Sequence, residues 1–225
     1  MRAADAGDKD EARIVASRAD ASTRLALSMR PAKGWKRGTK RRLPDHAAQM
    51  AQGLIDAFTR VETERLVLRR VTPADTGGLA RTMDQVMLTA NGWTAQQASD
   101  FLGQATLLAT AGLLSTNAVI ANRATGEIIG EIGCRNLDFD ERSCEIGWWI
   151  GPAARRRGCA TEAVVAMVRT LHGVGFRRIW IGTSPDNVAV QRTAATIGAQ
   201  LVKTQRRHKL PNGKVMRSLW FAHDG

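Results

Sequence analysis

The stretch "EIGWWIGPAARRRGCATEAVVAMVRTLHGVG" constrains this chain more than any other. Its apolar run up to Ile150 reads as a strand, and Gly151-Pro152 stops it, because proline has no N–H to give a sheet ladder. From Ala160 onward, apolar residues recur at Ala163, Val164, Met167, Val168 and Leu171. That is the spacing of a helix lying on a sheet, and Gly173 and Gly175 end it. The turn between strand and helix holds Arg155, Arg156, Arg157 and Gly158. A helix start offers unpaired N–H groups and the positive end of the helix dipole, and Gly158 lets another group come close to the main chain. The stretch is therefore built like a phosphate cradle. Local spacing alone is equally compatible with a solvated basic turn.

A second strand–loop–helix unit follows. "RRIWIGTSPDNVAV" predicts a strand from Arg178 to Thr183 and a helix from about Asn187 to Ile197, with Asn187 suited to cap it and Gly198 closing it. Upstream, Leu66 and Leu68 alternate with Val67 and Arg69 as in a strand. Thr72-Pro73-Ala74-Asp75 then reads as a helix start of capping-box type, leading into a helix to about Met83 that Gly77 and Gly78 weaken. Another helix is expected from Thr94 to about Leu108. "NAVIANRATGEIIGEIGCRN" gives two strands joined at Ala124-Thr125-Gly126, and a hairpin tip at 137–142 leads into the strand Ser143 to Ile150. Symmetry about Phe139 would set Cys134 opposite Cys144. A last hairpin, Leu201 to Lys209 and Val215 to Ala222, turns at Pro211-Asn212-Gly213, and its lone His208 is read as a surface or structural residue.

Charge is uneven. Of a net +12, residues 151–225 hold 13 Lys/Arg against 3 Asp/Glu, whereas residues 61–150 hold 7 against 11. A basic third beside an acidic middle suits an anionic ligand at a basic surface. Residues 1–58 read as a basic, disordered extension and residues 59–225 as the folded domain, although Asp45 to Thr59 has the makings of a short helix. Within the extension "RPAKGWKRGTKRR" carries seven cations and no acid; nucleic acid is expected only through this arm, if at all. Cys134, Cys144 and Cys159 are odd in number and form no close ligand pair, which argues against a disulfide framework and against a metal site. With no span-length apolar run, no signal core and acids at Asp5, Asp8, Asp10 and Glu11, the expectation is a cytoplasmic chain without a membrane partner.

With its flanks included, the chain resembles the GNAT superfamily of acetyl-CoA-dependent N-acetyltransferases. The superfamily's Q/R-x-x-G-x-G/A motif is matched by Arg155-Arg156-Arg157-Gly158-Cys159-Ala160. "TERLVLR", "EIGWWI", "RGCATEA" and "PDNVAVQRTAATIGA", in that order, resemble the RimJ/RimL branch, which includes enzymes that acetylate protein N-termini. The resemblance covers about Glu62 to Ala222. It implies an α/β (α+β) GNAT fold: a twisted, mostly antiparallel mixed sheet with helices on both faces and a central splay between two parallel strands. It also implies that acetyl-CoA, as acyl donor, lays its diphosphate on Arg155, Arg156, Arg157, Gly158, Cys159, Ala160 and Thr161. Its pantetheine arm would pass Ile150 and Asn187. No metal is implied, and the expected assembly is a monomer or homodimer.

The implied reaction is direct attack of a primary amine (a protein N-terminus, a peptide or a small amine) on the thioester. A carboxylate should take the amine's proton, and Glu145 and Glu131 are the candidates, with Asp186 a weaker one. If either faces solvent it is only a cross-strand partner for an arginine. The chain departs from the family in having no tyrosine to protonate the leaving thiolate, Val190 where the branch usually has serine, and Ala199 where an aromatic is common. These departures leave open an alternative: a catalytically degenerate acyl-CoA-binding sensor or interaction module.

Overall fold

The computed structural model describes residues 45–110, 116–210 and 213–225. The chain enters through α1 (Asp45–Ala57), β1 (Arg60–Glu62) and β2 (Leu66–Arg70). A 3-10 turn at Pro73–Asp75 leads into α2 (Thr76–Thr82), α3 (Gln85–Asn91) and α4 (Ala95–Thr110). β3 (Asn117–Asn122), β4 (Ile128–Asp138) and β5 (Ser143–Ile150) follow. Then come α5 (Cys159–Val174), β6 (Arg178–Thr183), α6 (Val188–Thr196) and the hairpin β7 (Gln200–Lys209) and β8 (Val215–Asp224). All eight strands join one sheet in the order β1-β2-β3-β4-β5-β6-β8-β7. Among the described residues only β5 and β6 run parallel. This is the mixed, mostly antiparallel GNAT plan that the resemblance implies.

The sheet's central fork positions everything else. β5 pairs with β6 only from Ser143–Arg178 to Glu145–Trp180. Past that point β5 stays with β4 as far as Ile150, and β6 stays with β8 as far as Thr183. Gly151 N–H donates to Ile129 O across the β4 side. By strand alternation, the main-chain groups of Trp148 and Ile150 therefore point the other way, into the fork.

Helices cover both faces. One face packs α1, α5 and α6 around Leu54, Phe58, Leu66, Ile132, Ile146 and Leu171. The apolar stripe of α5 lies there as the spacing predicts, with Ala163, Val164, Met167, Val168 and Leu171 all buried. On the other face Val71, Leu79, Met87, Val119 and Trp149 pack with Trp93 and Phe101 of the α2–α4 layer. Trp149 Nε1 also donates to Thr82 Oγ1 at 2.9 Å, which fixes α2 over β5.

Four expectations need correction. The packed unit begins before residue 59: α1 runs Asp45–Ala57 and buries Ala47, Met50, Ala51 and Leu54, so this part of the expected extension belongs to the core. The rest of that extension lies outside the described residues, as do Pro211 and Asn212 of the last turn. Gly78 does more than weaken α2, since a Cβ there would come within 2.6 Å of Ile128 Cδ1; the helix needs glycine to lie this close to β4. Cys134 faces Ile146 rather than Cys144, because the hairpin turns between Asp138 and Ser143 and not symmetrically about Phe139; the register is also irregular between Arg135 and Asp138, where Asn136 turns left-handed at φ 52°. The helix α3 and the short strand β1 have no counterpart in the sequence expectations.

Candidate active site

The loop that leaves the fork is shaped by two left-handed residues. Arg156 has φ 58° and Gly158 has φ 77°, and α5 starts immediately afterwards at Cys159. Glu162 N–H closes the first helical turn on Gly158 O at 3.0 Å. The amides of Cys159, Ala160 and Thr161 therefore precede the first N–H that the helix uses internally, and they face outward at the positive end of its dipole. Arg156, Arg157 and Gly158 are exposed. This geometry suits an anion with several oxygens, such as a diphosphate, so the loop fits the coenzyme that the resemblance implies.

Arg155 is held differently from its two neighbours. Its guanidinium donates to both carboxylate oxygens of Asp84, at 2.8 and 2.7 Å, and its Nε donates to Ile150 O at 2.8 Å. It is thus a clamp between the end of β5 and the start of α3, unlike its exposed neighbours Arg156 and Arg157. Asp84 is the N-cap of α3 and also accepts from Met87 N–H at 2.9 Å. The Arg155 hydrogen bond holds its carboxyl below the ordinary 3.8. Asp84→Ala removes both the cap and the ion pair, and should destabilise the fold by about 1–2 kcal/mol, read as a lower melting temperature. A carboxyl with a depressed folded pKa contributes stability above its ordinary value and loses it as pH falls through the folded one. The difference between wild type and variant should therefore be full at neutral pH and shrink below about 3.8.

On the α2–α4 face, β4 and β5 bring the two candidate carboxylates together. Cross-strand pairing sets Glu131 opposite Trp149, Gly133 opposite Gly147 and Arg135 opposite Glu145, all on that one face. The glycine pair leaves a floor without side chains between the two acids. A Cβ at Gly133 would lie 2.9 Å from Glu131 Oε1 and would strike Asn117, and one at Gly147 would lie 2.6 Å from Arg135 Nη1. Glu145 is buried with both oxygens engaged: Arg135 Nη2 donates to one, and Asn136 Nδ2 donates to the other at 2.8 Å. Glu131 is only 3% exposed. Burial, opposed by the nearby Arg135 charge, pushes its carboxyl up to about 8 from an ordinary 4.5. The two acids are thus a paired carboxylate and a proton-holding one, separated by the glycine floor.

The other expected site residues fall around the fork. Ile150 ends β5 with its carbonyl already accepting from Arg155. Asn187 caps α6 through a 3.3 Å bond from Val190 N–H, which places it beyond the end of β6. Val190 packs against the core, and Asp186 lies in the loop between β6 and α6. Sequence reasoning missed Arg135, Asn136 and Asp84 as partners. The glycines at 133 and 147 carried a usable signal, because they mark where two strands must leave room above one face. Among the described residues no cluster of His, Cys, Asp and Glu could hold a metal ion, and no helix is long and apolar enough to cross a membrane.

Comparison with known proteins agrees with this geometry. The family model described as "Acetyltransferase (GNAT) domain" matches residues 65–200. The uncharacterized N-acetyltransferase YoaA of Bacillus subtilis (strain 168) is 28% identical over 163 residues, covering 69% of this chain and 91% of its own. Among solved structures, the microcin C7 self-immunity acetyltransferase MccE, in complex with acetyl-CoA and AMP, superposes with a TM-score of 0.61 at 16% identity, covering 72% of this chain and 94% of that one. The ribosomal-protein-S5-alanine acetyltransferase of Vibrio fischeri gives 0.57 at 16% identity, with 73% and 96% covered. The family match runs from the start of β2 to the start of β7, and so takes in the fork, the left-handed loop and both acids: this protein belongs to the GNAT acetyltransferase family.

Proposed function

We propose that the protein moves the acetyl group of acetyl-CoA to a primary amine of a protein N-terminus, a peptide or a small molecule, as a RimJ/RimL-like member of its family. The observation that carries this reading is the left-handed turn at Gly158, which aims the first amides of α5 outward beside the fork. Those amides would hold the diphosphate, with Arg156 and Arg157 adding charge. Main-chain groups of Trp148 and Ile150 would meet the pantetheine arm and polarise the thioester carbonyl, and Asn187 would border the arm from the β6 side. The microcin relative solved with acetyl-CoA and the S5-alanine relative support the donor and the acceptor class respectively.

Glu131 is the base in this reading. Its carboxylate form takes a proton from the amine as the amine nitrogen bonds to the acetyl carbon and the carbon–sulfur bond breaks. A pKa near 8 matches the base to an amine around neutral pH. Glu145, locked by Arg135 and Asn136, shapes the site and moves no proton. No tyrosine exists to protonate the thiolate and Val190 offers no hydroxyl, so the leaving group takes its proton from water. The test is thiol release from acetyl-CoA with a panel of N-terminal peptides and small amines. Release that depends on an acceptor supports the reading. Tight coenzyme binding with no release from any acceptor would leave a binding module in its place.

A further inference from the structure

Two stretches that carry the family resemblance, "TERLVLR" and "RGCATEA", meet in space. Thr63 and Arg65 lie just before the second strand, and Glu162 sits in the first turn of α5. The Glu162 carboxylate accepts from Thr63 Oγ1 at 2.6 Å, from Arg65 N–H at 2.9 Å and from Arg65 Nε at 2.7 Å. The Arg65 guanidinium, fixed in this way, reaches across and donates through Nη1 to Arg157 O at 2.9 Å. Its Nη2 lies 3.3 Å from where a Cβ on Gly158 would stand. A residue far away in sequence therefore holds the carbonyl that immediately precedes the left-handed glycine.

We propose that Arg65, anchored by Glu162, is a positioning residue for the coenzyme loop. The inference rests on the reading that this loop holds coenzyme A. In a peptide unit the carbonyl of Arg157 and the amide of Gly158 point in opposite directions. Pinning that carbonyl toward Arg65 therefore turns the Gly158 N–H, and with it the entry to α5, away from the strand and toward the ligand. Behind the loop lies a cavity of about 340 Å³, lined by Arg65, Ala153, Ala154, Arg157 and Cys159 among others. Without the strap the loop has room to sag inward. Arg65 is half-exposed, but its charge is balanced by Glu162 at 2.6 Å, so it acts through the loop's shape and adds no net attraction for a phosphate. Lysine cannot replace it, because a point ammonium cannot reach Glu162 and Arg157 O in two fixed directions at once.

The test is calorimetric titration of the full chain with coenzyme A, for wild type, Arg65→Ala, Arg65→Lys, Glu162→Ala and the double variant Arg65→Ala/Glu162→Ala, with a thermal melt of each. Both alanine variants should bind coenzyme A about tenfold more weakly. Lysine should not restore binding, and the double variant should lose no more than either single one, because the pair acts as a unit. The slope of log affinity against log salt should be that of wild type. Losses should persist in variants that are fully folded at the titration temperature. The proposal is overturned if folded variants bind like wild type, if the two losses add, if lysine rescues, or if the salt slope falls in Arg65→Ala, which would make Arg65 a direct phosphate contact. Failure of the wild type itself to bind coenzyme A would instead refute the reading on which the proposal rests.

Discussion

Replacing Glu131 with glutamine should lower the rate of acetyl transfer by about 10²–10⁴-fold while coenzyme A binding stays unchanged. Glutamine fills the same space on the glycine floor but cannot accept a proton. Wild-type activity should rise with pH about a midpoint near 8, and the variant's residual rate should lack that rise. Stability should move the other way. A carboxyl whose folded pKa is raised contributes stability that is full below its ordinary value, here 4.5, and is lost as pH climbs through about 8. Glu131→Gln should therefore melt above wild type at pH 9, and the gap should narrow toward pH 6. A variant that keeps its rate, or a wild-type profile that is flat between pH 7 and 9, would remove Glu131 from the chemistry and leave the base to be sought elsewhere.

Gly158→Val should weaken coenzyme A binding by on the order of 10²-fold, the loss expected when two amide–phosphate hydrogen bonds go. Space is the lesser obstacle: a Cβ would press on the held guanidinium of Arg65 at 3.3 Å, which must give by a few tenths of an ångström. The greater one is the conformation: at φ 77° a β-branched residue is strained by roughly 1–2 kcal/mol, and the turn relaxes by swinging the amides of Cys159 and Ala160 off target. Gly158→Asn separates the two effects, because asparagine tolerates left-handed backbone and should keep much of the affinity. Equal affinities for wild type and Gly158→Val, measured by calorimetry, would show that the loop does not hold the diphosphate through its main chain.

How far the sequence disclosed this molecule depended on whether a feature was local. The α5 stripe, the Gly151-Pro152 stop, the Asn187 cap and the glycine at 158 are all written within one turn or one strand, and each stands where the pattern put it. The pairing of Glu145 with Arg135 and Asn136 was hidden by where the hairpin turns, with Asp138 facing Ser143, and by the irregularity at Asn136, neither of which any periodicity in "GCRNLDFDERSCE" announces. Arg155 misled for a related reason. Three adjacent arginines look equivalent in sequence, and only tertiary contact shows that the first is spent on Asp84, 71 residues away. The boundary near residue 58 failed because α1 is amphipathic but flanked by basic, polar chain, so its buried side became evident only against α5.

The Arg155 clamp also gives a reason for the family motif's tolerance at its first position. What the strand end needs there is an N–H at the reach of one carbonyl, that of Ile150, and glutamine and arginine side chains both carry one. Arginine adds a second attachment, to the helix capped by Asp84, so in this chain the end of β5 and the layer above the acids are riveted together at a single guanidinium. Shifting either part would drag the other with it, which makes the two halves of the cleft mechanically one body.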